Sequence, residues 1–139
     1  MRRIFLWIQL VAAALVTVGV WLQVYFIAAY FYGAEDALDL HETVGEAMRG
    51  IMVLVFLLAL GAWWRNWGRI GHAFGLAVIG TVQIMLTGSD AWVGGLHGLL
   101  ALVVLTMAVY VVKWNADALG LTRAGRGGDA GTAPLRSQP

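Results

Sequence analysis

The feature that constrains this chain most is its opening apolar run. Residues 4–32 hold no charged side chain, and Gln9, Thr17 and Gln23 are their main polar interruptions. About 20 apolar residues suffice for a helix to cross the hydrocarbon core of a bilayer. A secretory signal has a much shorter apolar region, so the run reads as a retained first span although Arg2 and Arg3 precede it. Further spans are expected over residues 40–63, 70–86 and 91–112. They are separated by the acidic loop GAEDALDL (33–40), the basic aromatic turn WRNWGR (64–69) and the turn Thr87-Gly88-Ser89-Asp90.

Composition agrees with this pattern. Hydrophobic residues make up 60% of the 139 positions and charged residues 12%, where a soluble domain has roughly a quarter charged. Mean hydropathy is +0.77. These values exclude a soluble globular enzyme, a disordered chain and a nucleic-acid binder, and make the lipid bilayer the first partner. Cysteine is absent, which excludes disulfides, thiolate metal sites and the attachment motif of c-type haem. The expected fold is all-α: an integral membrane up-down-up-down four-helix bundle over residues 1–114. Residues 115–139 are rich in Gly, Ala, Arg, Thr and Pro without an apolar period, and are expected to be a disordered tail.

The charges orient the bundle. All basic residues except Arg49 lie on the side of the N-terminus: Arg2, Arg3, Arg65, Arg69, Lys113, Arg123, Arg126 and Arg136. The two opposite loops carry only acids, Glu35, Asp36, Asp39 and Asp90. Basic loops stay in the cytoplasm, so both termini are expected there. Trp7, Trp63, Trp64, Trp67 and Trp114 gather at the same edge, as an interfacial aromatic belt does.

Two of the three histidines are then matched in depth. His41 stands at the outer entrance of span two and His97 about two turns into span four. Both spans run from outside to inside, which makes them parallel and diagonal. Adjacent helices pack about 8–10 Å apart, so a diagonal pair lies about 12–14 Å apart. That is too wide for two imidazoles to touch and suits a metal-centred macrocycle between them. Haem iron accepts histidine as an axial ligand, and bundle cores build cofactor sites from facing helices. At about 100° per residue, Gly45, Met48 and Met52 share the stripe of His41. Ala101, Val104 and Ala108 share that of His97, while Gly94 and Gly98 flank it. Small residues there would make room for a flat ring, with methionine as a polarisable contact; Gly94-x-x-x-Gly98 is equally an ordinary packing motif. The pair His41 and His97 is therefore the candidate metal-ligand set, and one bis-His haem b the expected cofactor. His72 has no histidine partner at its depth and reads as structural.

The pattern of spans and ligands resembles one four-helix half of a haem A synthase, on LDLHETVGEAM around His41 and VGGLHGLLAL around His97. It is also similar to small four-span bacterial membrane proteins. The resemblance covers roughly residues 4–113 and implies a b-type haem-binding bundle in the bacterial inner membrane. Departures limit what it carries. Those enzymes have two such units and a glutamate three residues before the second-span histidine, where this chain has Leu38. The paired loop cysteines of many of them are absent. The haem site is implied; the oxygenase activity is not.

Other polar groups lie within the spans. Glu42, Glu46 and Arg49 share one stripe of span two, and Glu46 with Arg49 suits an ion pair; Arg49 also offers itself as a partner for a haem propionate. Gln23 and Gln83 lie near the histidine layer, as hydrogen-bond partners of the ligands or as helix glue. No nucleophile–base–acid constellation, phosphate loop or carboxylate metal cluster appears. The expected function is electron transfer through one haem near the outer face, with a quinone or a membrane redox complex as partner and a homo-oligomer left open. The competing readings are a haem-free accessory or assembly subunit, and a haem-dependent quinone or superoxide oxidoreductase.

Overall fold

The computed structural model describes residues 1–87 and 90–122. It contains four helices, α1 (Arg2–Phe31), α2 (Asp36–Ala62), α3 (Trp67–Met85) and α4 (Ala91–Leu119), and among the described residues no strand. Each helix packs on the next and α4 returns to α1, so α2 and α4 face each other across the diagonal. Paired residues set the directions. Arg2 bonds to Ala62, Gln9 to Val55 and Gln23 to His41, so α1 and α2 run antiparallel. Phe56 stacks on Phe74 while Met52 fills the space beside Gly80. His72 meets Met107 and Gln83 meets His97.

The helix boundaries differ from the sequence expectation in ways with local causes. α2 begins at Asp36, not near Leu40: Asp36 and Asp39 occupy its first turn, where carboxylates are stabilised by the amino end of the helix. The Asn66 side chain accepts the Arg69 N–H at 3.2 Å and starts α3 early, at Trp67. α4 runs past Lys113-Trp114-Asn115, so residues 115–119 are helix and not tail. Its stop is Gly120 with φ +83°, after which the Leu121 N–H returns to the Ala116 carbonyl at 2.9 Å. Gly88, Ser89 and the expected tail from residue 123 lie outside the described residues.

α1, α2 and α4 are each long and apolar enough to cross a membrane. α3 is not among them; its 19 residues include Arg69, His72, Gln83 and several glycines. The core is built from small residues at the helix contacts, Ala12, Ala13, Ala59, Ala62, Ala73 and Ala108, around Val16, Met52, Val55, Leu76 and Val104. Large apolar side chains such as Trp21, Leu57 and Leu99 point outward. Small inside and large apolar outside is the arrangement of helices that pack in lipid, where the surrounding solvent is as apolar as the core.

Candidate cofactor site

His41 lies about 8 Å along α2 from Asp36, and His97 about 9 Å along α4 from Ala91, at 1.5 Å per residue. The two diagonal helices therefore carry their histidines at one level, and the half-buried rings approach to 6.0 Å between centroids at an interplanar angle of 57°. The rings are thus neighbours, contrary to the expectation that the diagonal gap is too wide for two imidazoles to touch: that separation is one of helix axes, and side chains reaching inward from both corners close most of it.

Each ring is held the same way from a different neighbour. His41 Nδ1 lies 3.2 Å from the Gln23 carbonyl oxygen on α1. His97 Nδ1 lies 2.9 Å from the Gln83 carbonyl oxygen on α3. A carbonyl only accepts, so both Nδ1 atoms donate. In a neutral imidazole this leaves the lone pair on Nε2. A carbonyl on Nδ1–H is the usual partner that fixes the ring of a metal-ligating histidine. Two imidazole nitrogens at about 2 Å on opposite sides of one metal place their ring centres about 6 Å apart. The observed separation meets that spacing.

Gln23 closes the clasp on α2: its Nε2 donates to the His41 carbonyl at 2.9 Å. Gly45 permits this, because a Cβ there would stand 3.0 Å from that same nitrogen. The space expected beside His41 for a flat ring is thus taken, at Gly45, by the Gln23 amide. Met48 is buried with its thioether against Gly19 of α1. On α4, Val104 and Ala108 are buried and Ala101 is half-buried on the stripe of His97. Gly94 is half-buried; Gly98 is exposed, with nothing within 4 Å of where its Cβ would be. The side-chain oxygens of Gln23 and Gln83 are buried without a partner in this layer.

Arg49 is not brought to the histidines. Its guanidinium bonds to Glu46 Oε2 at 2.7 Å on an exposed face of α2, about 12 Å along the axis from His41. His72 belongs to the opposite end of the bundle. Its Nε2 donates to the Met107 carbonyl at 3.0 Å, and its ring meets Trp114 edge-on at 4.8 Å. The sequence reading named Gln23 and Gln83 as partners of the ligands, but through their side chains; the atoms that hold the rings are main-chain carbonyls. No residue pattern distinguishes one helix carbonyl from the next, so that part had no sequence signal.

The donor set decides which metals fit. Structural zinc takes four protein ligands and catalytic zinc three, whereas this layer offers two imidazoles. Two imidazoles would suit a metal that brings its other ligands with it, as haem iron does. The chain matches no protein-family model, no curated relative and no solved structure.

Proposed function

We propose that this chain is an integral membrane up-down-up-down four-helix bundle that holds one b-type haem between His41 and His97 and serves in electron transfer near the outer face of a bacterial inner membrane. The observation that carries the reading is the pair of rings 6.0 Å apart, each with Nδ1 committed to a main-chain carbonyl. When bound, a haem held by His41 and His97 would supply a one-electron couple. The chain's part is to fix both rings through their Nδ1 atoms. α1 and α3 set the ring orientations through Gln23 and Gln83. Reorganisation on electron transfer would stay small because the two ligands sit on packed helices, α2 and α4, and not on loops. A quinone or a membrane redox complex is the partner class that exchanges electrons at this depth.

The test is an absorption spectrum of the full chain purified in detergent from haem-replete cells. The expected result is one haem per chain with the sharp reduced bands of a six-coordinate b haem. Colourless protein that also fails to take up added haemin would overturn the haem reading and leave the haem-free accessory subunit.

The membrane placement has its own test. The basic residues gather at the end bearing Arg2, Arg3, Arg65, Arg69 and Lys113, which the positive-inside rule assigns to the cytoplasm. A reporter enzyme active only outside the cytoplasm is expected to be active when fused after Gly33 and inactive when fused after Thr122. Activity at both points would show that α3 does not cross, since an odd number of spans puts both points outside.

A further inference from the structure

The charged face of α2 has no partner within the bundle. Arg49 is at the midpoint of the 27-residue α2, about 20 Å from its start. In a hydrocarbon core about 30 Å thick this is close to the mid-plane. Yet the side chains of Arg49 and Glu46 are 46% and 55% exposed. An ionic pair open to lipid at that depth is expensive, and charged residues in spans face protein or water instead. Asp39, Thr43, Glu46, Gly50, Val53, Leu57 and Leu60 continue the same face and are all exposed. They follow one another at alternating steps of four and three, the spacing of a seam between two supercoiled helices. The exposed seam of α1 through Ile8, Val11, Leu15, Val18 and Leu22 is wholly apolar and needs nothing but lipid.

We infer that the α2 seam is the contact with a second, parallel copy of this chain, related by a two-fold axis along the membrane normal. Charge complementarity names the occupant. In a two-fold contact each patch meets itself, and this patch holds one cation and its counter-charge less than a turn apart. Arg49 Nε and Nη2 both engage Glu46 Oε2. The other guanidinium edge and Glu46 Oε1 stay free to bond to their counterparts in the second copy. The pair in each chain becomes a neutral quartet shielded from lipid. Gly50, one turn inward of Glu46 and with nothing within 4 Å of a Cβ position, lets the two helix backbones come close, as small residues do at membrane helix contacts. The inference rests on the membrane placement and not on the haem.

The absence of cysteine makes the test clean. Single substitutions Gly50→Cys and Leu57→Cys on the seam, with Val18→Cys on α1 and Leu99→Cys on α4 as equally exposed controls, are oxidised in native membranes as full chains. The seam variants are expected to give a disulfide-linked dimer of twice the chain mass, and the controls little or none. Adding Arg49→Met to Leu57→Cys is expected to weaken pairing about tenfold, the value of one good interhelical polar contact. Equal cross-linking at seam and control positions, only monomer, or a seam cross-link solely to a different protein would each overturn the proposal. A colourless protein that still cross-links along the seam would retire the haem and leave the dimer standing.

Discussion

Replacing His97 with alanine is expected to convert a six-coordinate low-spin haem into a five-coordinate one, or to abolish binding. His41→Ala is expected to do the same. Both rings stand at one level with Nδ1 committed to a carbonyl, so on the proposed reading each would hold the haem through Nε2 and neither has a substitute. Met48, the nearest thioether on the stripe of His41, has its sulfur packed against Gly19 and cannot swing to the metal without opening a hole in the α1–α2 contact. His72→Ala is expected to leave the spectrum unchanged, because its ring is bonded to Met107 at the other end of the bundle. The measurement is the reduced and oxidised absorption spectrum of each purified variant, with haem content per chain. A spectrum that changes as much in His72→Ala as in His97→Ala would move the site away from the outer layer. Loss of haem should also lower stability, because a cofactor bound only by the folded state adds its binding free energy to folding.

Trp63→Ala is expected to be the most destabilising single change outside the histidine layer. The Trp63 ring caps α2 and is 6% exposed. The Arg69 guanidinium stands 3.8 Å over its face and Arg2 5.5 Å from it, an arrangement favoured by the ring quadrupole. Its Nε1 donates to the fully buried Gln9 Oε1 at 3.0 Å, and Gln9 Nε2 in turn donates to the Val55 carbonyl at 3.0 Å. Truncation removes an aromatic packing contribution of about 3–5 kcal/mol and strands a buried acceptor at a further cost of about 1–3 kcal/mol. Trp63→Phe keeps an aromatic face but loses the N–H and part of the indole volume, so its cost should fall below that of Trp63→Ala while including the about 1–3 kcal/mol of the stranded acceptor. Reversible denaturation in mixed micelles, followed by circular dichroism, measures both. Trp63→Ala within about 1 kcal/mol of the unsubstituted chain would show that this corner does not hold α1, α2 and α3 together, since most single core truncations exceed that.

Residue order and hydropathy were enough to place four helices with every boundary except the end of α4 within about four residues, because apolar run length and the turns between runs are local properties. They also placed His41 and His97 at one level on diagonal helices, since short connections fix neighbours and a rise of 1.5 Å per residue fixes depth. The Glu46–Arg49 pair was legible for the same reason: spacing alone brings the two side chains together on a helix. The ends of the helices were less legible. Asp36 and Asp39 look like loop in a hydropathy reading but are favoured by the start of α2, and Asn115 looks like a stop yet is fully buried within α4.

How each helix is rotated about its own axis was decided only by the packing. In water the apolar stripe announces which face is buried, but in a chain this apolar the outward face is as hydrophobic as the core, and the stripe carries no such label. α4 illustrates it: Leu99 and Leu102 point out while the smaller Val104 and Ala108 point in. Rotation turned Arg49 away from the histidines, gave Gly45 to the Gln23 amide, and set the Gln23 and Gln83 carbonyls opposite the two Nδ1 atoms. The sequence by itself determined which residues share a depth. The tertiary structure decided which of them meet, because side-chain volume at the helix contacts, and not polarity, selects the face that turns inward.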